Sequence, residues 1–578
     1  MFARIREEKP HVMKKLIMIE GDVMYENLGV EQHLLQQLLE EVSVVFNFAA
    51  TLKLEAPLKV GLEMNTRGTQ RVLEVVKGMK NLAAFIHLST AFCYPDYEKL
   101  DEKVHDPPVD PHEILRAANW LTEEQMSTLA PSILQAHPNS YTFSKRLAEA
   151  LVSENYPRLP AAIVRPSIGT LAIEILAHPP YKIDLGSCDF YLLPKIKENL
   201  RGKWFTDVEE APYEEAIEWN SKLTPSYREP VPGWVDNLNG PAGVVVGAGK
   251  GVIRSMLCYG DYHAEGIPVD IAINAIIVSA YYVGIQKGRT PEIPVFNVTS
   301  GDDRITTWKE ALEFGKAAGR KYPFEGPLWY PNGNIRSNKL IHNLCVFFFH
   351  IIPAYFIDFL MLILGQKRFM VRIQKRISVG LEMLQYFTTR EWWFSIDKYK
   401  SLSSVLGPED SKTFSMDITI IDDQSYAENG VIGGKLYCMK EKMENLPKAR
   451  LQHNILYVLD LLVTVLFYLY VLSLIASYSE TVRQILKFGG PVTHTLPFVG
   501  KTVFVFPKVV QVDLQGSTGD STEVNVGHNK KWGSTIACSS CGPNTTPWRR
   551  ASIGLPYRND VMTERETKIE RLLFKALR

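Results

Sequence analysis

The 578-residue chain has no surplus of either charge, since 64 Lys and Arg stand against 64 Asp and Glu. Nucleic-acid binders carry a basic excess or patch, so no nucleic-acid partner is expected. Its seven cysteines are odd in number and scattered. They make no disulfide framework, and the catalytic part is expected to face the cytosol. The opening MFARIREEKPHVMKK lacks the apolar core of a signal peptide. Cys538 and Cys541 form a lone CxxC with no second pair nearby, so a loop is expected there and no metal site. There is no internal repeat. No G-x-G-x-x-G follows an early strand. GAGKG (247–251) puts Val252 where the third glycine belongs, and it comes late in the chain. What is present is a globular composition, 46% hydrophobic and 22% charged, which excludes wholesale disorder.

Over 1–300 short β-branched runs alternate with helical patterns. LIMIEGDV (16–23), VSVVFNFAAT (42–51), AAFIHLST (83–90) and AAIVRPSI (161–168) read as strands, with helices near 59–80 and 140–155 between them. The runs are apolar throughout, as parallel strands covered on both faces are. The fold class is therefore α/β, a doubly wound Rossmann-like parallel sheet. A mainly helical domain is expected over 301–454, and a poorly ordered Gly-, Ser- and Thr-rich tail over 477–578.

Residues 455–476, ILYVLDLLVTVLFYLYVLSLIA, carry one charge, Asp460, and meet the length and composition of a transmembrane helix. The run 344–365 holds His350, Pro353 and Asp358, with Arg336 and Lys339 before it and Lys367, Arg368 and Arg372 after it. It admits a crossing, an interfacial or re-entrant segment, or an acyl-chain groove. Lys435, Lys440, Lys442, Lys448 and Arg450 precede 455–476, while only Arg483 and Lys487 follow closely. By the positive-inside rule the residues before 455 lie in the cytosol. The tail then lies across the membrane, with Asn544 of Asn-Thr-Thr as a glycosylation acceptor.

NSYTFSK (139–145) places Tyr141 and Lys145 one helical turn apart. A tyrosine with a pKa near ~10 is a poor proton donor at neutral pH unless a cation lowers it, which the lysine would do. The bland reading is a surface lysine over a packed aromatic. HLSTAF (87–92) weighs against it, because a strand ending in Ser89 and Thr90 would set hydroxyls at the carboxyl edge of the sheet, where ligands bind. Hydroxyl, tyrosine and lysine in that order make a reductase-type triad. Cys93, close to this strand, reads as a small buried hydrophobe before it reads as a nucleophile.

These residues resemble the extended short-chain dehydrogenase/reductase superfamily and, within it, the alcohol-forming fatty acyl-CoA reductases. The resemblance covers nearly all of 1–168 and 228–476. It rests on GDV (21–23), FNFAAT (46–51), NTRGTQRVLE (65–74), HLSTAF, NSYTFSKRLAE (139–149), IVRPSI (163–168), REPVPGWVDNLNGPAG (228–243), IPVD (267–270) and IIPAYFIDFLM (351–361). It implies NADPH as cofactor, a long-chain acyl-CoA substrate reduced to fatty alcohol with release of CoA, and membrane lipid as partner. The location implied is the endoplasmic reticulum or peroxisome membrane. It also implies Thr90, Tyr141 and Lys145 as the catalytic triad, with Ser89 as neighbour. Asp22 would lie near the adenine, Ala49 and Ala50 in the turn beside the cofactor, and Pro166 and Ser167 along the nicotinamide. Two other readings stay open, a non-catalytic membrane-bound relative and another membrane-bound extended dehydrogenase.

The chain departs from the family pattern twice. Residues 169–227 intervene where the family runs almost directly from RPSI to EPxPGW, either as the product of alternative splicing or a misjoined gene, or as a substrate lid. The Gly-rich first βαβ unit is also missing from the pattern. In a sheet ordered 3-2-1-4-5-6 its absence would leave 16–23 and 42–51 ~10–15 Å apart and remove the pyrophosphate turn. NADPH affinity is expected to suffer accordingly.

Overall fold

The computed structural model describes residues 11–167, 224–235 and 240–478. They fall into two units divided between Val465 and Leu466. Most of the insertion 169–227, the tail from 479 with Cys538, Cys541 and Asn544, and Arg483 and Lys487 lie outside the described residues.

The strands are β1 (Val44–Asn47), β2 (Ala84–Leu88), β3 (Lys99–Leu100), β4 (Ala161–Pro166), β5 (Ser255–Leu257), β6 (Val295–Val298), β7 (Asn334–Arg336) and β8 (Trp393–Phe394). Four of them form one sheet in the order β1-β2-β4-β6, parallel throughout. Side chains alternate between its faces, as strand geometry requires. Ala84, Ile86, Leu88, Ala162, Val164, Phe296 and Val298 enter one core with the apolar helix Val269–Ile285. Phe85, Ala161, Ile163 and Val295 enter the opposite core, with Leu62, Val72, Leu115 and Leu147 from the helices on that side. The sheet is therefore covered on both faces, which explains why its strands read as unbroken apolar runs.

One expected strand is absent. Residues 16–23 are not in a sheet, and Leu16, Ile17 and Met18 are exposed. A strand is stable only when its N–H and C=O groups meet a neighbour, and this segment pairs with no strand among the described residues. Instead Val23 packs against the helix at Gly68, and Arg71 donates to the Val23 carbonyl at 2.9 Å. The described sheet begins at β1.

The helical region after residue 300 shares the first unit rather than standing apart. Tyr399, Leu402, Phe414 and Ile418 complete the core beneath Val269–Ile285. REPVPGW docks on the same region. Asp270 accepts the backbone N–H groups of Tyr227, Arg228 and Glu229 at 2.8, 2.8 and 3.1 Å. Gly233, at φ +78°, lies so close to the helix Asp423–Gly433 that an added Cβ would stand 2.0 Å from the Asn429 carbonyl oxygen.

The apolar run 344–365 belongs to a helical segment, Lys339–Ile363, with a π-helical turn at Phe347–Ile351 shortly before Pro353. The second apolar stretch belongs to a longer helix than the sequence pattern marked, Leu446–Tyr478. Lys435 does not join the basic flank assigned to it. It is buried, its Nζ donating to the Pro323 carbonyl, pairing with Glu441 at 2.6 Å and lying 5.4 Å from the Phe324 ring.

Candidate functional site

The helix Ser140–Glu154 is buried on every side from Ser140 to Val152. A helix can be buried all round only if its polar side chains find partners, and these do. Asn139 caps it, accepting from Thr142 N at 3.0 Å. Ser140 donates to the Ala56 carbonyl at 2.7 Å, and Asn65 donates to Ser144 Oγ at 2.9 Å. Close contact with the neighbouring helix depends on Gly61, whose added Cβ would meet Ser140 Cβ at 3.1 Å.

On this helix Tyr141 and Lys145 are 2% and 1% exposed, which rules out the surface-lysine reading. Lys145 Nζ donates to the Leu88 carbonyl at 2.8 Å, so the amine sits under the last residue of β2, two residues before Thr90. Ser89 and Thr90 are buried at the carboxyl end of that strand. Ser89 N donates to the Val164 carbonyl at 2.8 Å and Ala91 N to the Pro166 carbonyl at 3.0 Å, so the backbone pairing extends past the strands. Thr90 Oγ1 accepts from Phe92 N at 3.3 Å. Tyr141 shares one apolar cluster with Ala91, Phe92, Trp392 and Phe394. Thr90, Tyr141 and Lys145 are thus gathered around the end of β2.

The flanking residues also line the carboxyl edge. Ala49 and Ala50 follow β1, and the next residue, Thr51, exchanges two hydrogen bonds with Asn65 at 2.7 and 3.2 Å. Pro166 ends β4, and Ser167 continues it through a bond from its N to the Val298 carbonyl at 3.1 Å. Ser167 Oγ is buried with no hydrogen-bond partner among the described residues. Asp22 lies elsewhere, in an exposed turn where its carboxylate accepts from Met24 N at 2.8 Å.

Beneath the triad lies a charge pair that the motifs contained but did not reveal. Glu149, two turns after Tyr141, pairs with Arg165 of β4 at 2.6 Å, both fully buried. Tyr94 Oη donates to Glu149 at 2.7 Å and Cys93 Sγ at 3.3 Å. Burial raises the Glu149 carboxyl, but the Arg165 charge and the hydrogen bonds outweigh it and leave the group below its ordinary value. The Cys93 thiol moves the other way, pushed well up by burial and by the Glu149 charge. It stays protonated and is no nucleophile. His87, also buried, is pushed down to about 3 by burial and by Lys145, and is neutral. The pairing of residues so far apart in sequence leaves no local spacing signal; only the unexplained charges in IVRP and RLAE hint at it.

GAGKG is no phosphate loop. It closes the helix Pro241–Gly249, and added Cβ atoms at Gly247 and Gly249 would strike Ile253 and Phe324 at 2.7 and 2.5 Å.

Comparison with known proteins follows the same division of the chain. The NAD-binding family model described as "Male sterility protein" matches residues 1–179 and 221–276, and the family model named Sterile, with the same description, matches 349–441. The chain is 29% identical over 454 residues to "Fatty acyl-CoA reductase 1" of Gallus gallus, covering 78% of this chain and 77% of that one. It is 31% identical over 467 residues to the Drosophila melanogaster protein named "Putative fatty acyl-CoA reductase CG8306", covering 80% of each. Among solved structures, the terminal R domain from the myxalamid PKS-NRPS biosynthetic pathway aligns with 75% of this chain and 78% of that one, at 14% identity and a TM-score of 0.40.

Proposed function

The chain belongs to the fatty acyl-CoA reductases of the extended short-chain dehydrogenase/reductase superfamily and is an oxidoreductase using a nicotinamide cofactor, and from that premise we propose that it reduces long-chain acyl-CoA to fatty alcohol with NADPH, releasing CoA. The observation that carries this reading is the bond from Lys145 Nζ to the Leu88 carbonyl, 2.8 Å long. It fixes an ammonium group beside the strand end that presents Thr90, on the same buried helix as Tyr141.

The residues at the carboxyl edge suit the nicotinamide end of the cofactor. The Ser167 hydroxyl, buried without a partner among the described residues, offers a bond to a polar group, and Ala49 and Ala50 allow close approach of a flat ring or ribose. Asp22 is assigned to the adenine side. None of the described strands β1, β2, β4 and β6 is followed by a Gly-rich turn of the kind that holds a pyrophosphate. When bound, the cofactor supplies hydride to the acyl carbonyl carbon.

The chain's own residues handle the oxygen. Thr90 and Tyr141 hydrogen-bond the carbonyl oxygen as negative charge builds on it. Tyr141 donates its phenolic proton to that oxygen, and Lys145 lowers the cost of the resulting phenolate. The thiohemiacetal then returns its proton and re-forms the carbonyl as the carbon–sulfur bond breaks, with the electron pair leaving on the CoA thiolate. The aldehyde takes up the same position for a second reduction, for which a second NADPH would supply the hydride, and Tyr141 again protonates the oxygen, giving the alcohol. No protein thiol takes part, in keeping with the protonated Cys93. The helix Leu446–Tyr478 anchors the enzyme to the endoplasmic reticulum or peroxisome membrane. The Lys440, Lys442, Lys448 and Arg450 side then faces the cytosol, where both substrates are supplied.

Tyr141→Phe in the full chain tests the triad. It keeps the ring against Phe92 and removes only the hydroxyl. Fatty alcohol formation from palmitoyl-CoA and NADPH in microsomes should fall ~10²–10⁴-fold with the circular dichroism unchanged, and Lys145→Ala should fall comparably. Turnover of Tyr141→Phe within a few-fold of the parent overturns the assignment.

A further inference from the structure

We propose that the segment Lys339–Ile363 is a second membrane contact that lies in the plane of the bilayer surface instead of crossing it, with lipid covering its outer face; this rests on the membrane-anchor reading of Leu446–Tyr478.

The inner side of the segment is tied to the soluble domain at its start, middle and end. His342 Nδ1 meets Ser255 Oγ at 2.8 Å. At the midpoint His350 Nε2 accepts the backbone N–H groups of Arg254 and Ser255 at 2.8 and 3.2 Å, while its Nδ1 meets Gln374 at 3.0 Å. Ala354 packs with Val252 and Met370. Near the end Asp358 accepts the N–H groups of Phe369, Met370 and Val371 at 2.9, 2.7 and 3.0 Å, capping the helix Met370–Thr388. Residues 342, 350, 354 and 358 fall on one helical stripe. A crossing helix puts its midpoint in the hydrocarbon centre. Here the midpoint holds the backbone of the residues entering β5, which would be carried in with Arg254 and Ser255. The cost of burying those polar groups in hydrocarbon rules a crossing out.

The outer side is apolar and open. Phe348, Ile352, Tyr355, Phe356, Phe359 and Ile363 are 44–65% exposed. What covers it is indicated by its neighbour. The Arg254 guanidinium lies 5.0 Å from the Phe349 ring and also pairs with Asp460 of the anchor helix at 3.4 Å. Asp460 further accepts from Trp329 Nε1 and, at 2.8 Å, from Asn332. Just past this docking point Leu461, Leu462, Val463 and Val465 are 46–53% exposed. The two apolar surfaces thus adjoin at one side chain, and a bilayer receiving the anchor reaches the segment as well. Lys367, Arg368, Arg372, Lys375 and Arg376 follow directly and are exposed, an arrangement suited to anionic headgroups. The same Met370–Thr388 helix, 19 residues or ~28 Å long, carries Phe387 in its last turn, with its ring 5.3 Å from Phe92 in the Tyr141 cluster. A rigid element therefore sets the distance between lipid surface and active site.

The test uses the full chain in sealed phosphatidylcholine–phosphatidylserine vesicles, in a background whose other reactive cysteines are Ser. A nitrobenzoxadiazole probe on Phe356→Cys should be quenched several-fold more by lipid-borne nitroxide than a probe on Glu123→Cys, and should be shielded from iodide. An impermeant maleimide should label Lys339→Cys and Lys367→Cys from the same side. A probe at 356 open to iodide means that the face awaits a protein partner and overturns the proposal, and labelling from opposite sides overturns it in favour of a crossing. An alkaline wash after the quenching reads the anchor helix separately, so failure of either contact is recognised without the other.

Discussion

Replacing Glu149 by Gln should remove the counter-charge on which the carboxyl edge of the sheet is built. Arg165 is fully buried. It receives Glu149 through two bonds of 2.8 and 2.6 Å and is otherwise held by the Asp101 and Lys103 carbonyls at 3.1 and 2.9 Å. Gln keeps the shape but leaves a guanidinium charge with no counter-charge where water does not reach. Removing one member of such a pair costs ~3–5 kcal/mol, a large part of the ~5–15 kcal/mol that holds a typical fold together. The effect depends on pH. The native carboxyl is held below the ordinary 4.5 by Arg165. Its contribution is therefore complete above that value and is lost as the pH falls through the native one. Urea unfolding of the full chain in detergent, followed by tryptophan fluorescence, measures the gap between parent and variant. The gap should be ~3–5 kcal/mol near neutrality and shrink in strong acid. Glu149→Met with Arg165→Met should recover much of it, since an apolar pair leaves nothing unpaired. A loss below ~1 kcal/mol near neutrality, the size of an exposed ion pair, or a gap that does not change in acid, would refute the reasoning.

Gly233→Ala should destabilise the chain by more than ~3 kcal/mol, because its Cβ would lie 2.0 Å from the Asn429 carbonyl oxygen at a positive φ; Gly315→Ala, with open space around it, is the control in the same unfolding assay. His87 is held from its ordinary 6.5 down to about 3 by burial. The unfolded chain therefore binds a proton that the folded chain refuses, and stability should fall by up to ~1.4 kcal/mol per pH unit as the pH drops through that window. His87→Gln should flatten the slope, and an unchanged slope would place the acid sensitivity elsewhere.

Much of the sheet was legible because its periodicity is local. The strands at 44–47, 84–88 and 161–166 and the helix bearing Tyr141 and Lys145 follow from apolar runs and a one-turn spacing that any short window contains. The segment 16–23 misleads for the same reason. It has a strand's composition, but pairing is a property of the neighbour, and composition does not supply one. Asp22, assigned to the adenine side by the family resemblance, lies in an exposed turn. The pairing of Glu149 with Arg165 and the burial of Lys435 were illegible, because each depends on a partner contributed from another element.

The sequence alone determined the fold class, the one-turn spacing of Tyr141 and Lys145 and the two apolar segments, each written as a pattern within a few helical turns or one strand. The tertiary structure decided what those patterns mean. Lys145 was drawn under the end of β2 because the Leu88 carbonyl meets it, and Cys93 stayed a thiol because burial and the Glu149 charge hold its proton. The run around His350 is tied to the rest of the fold because His350 accepts the backbone N–H groups of Arg254 and Ser255. The physical reason is common to all three. The solvation, charge state and hydrogen bonding of a side chain are set by what surrounds it, and those surroundings are assembled from residues far apart in the chain.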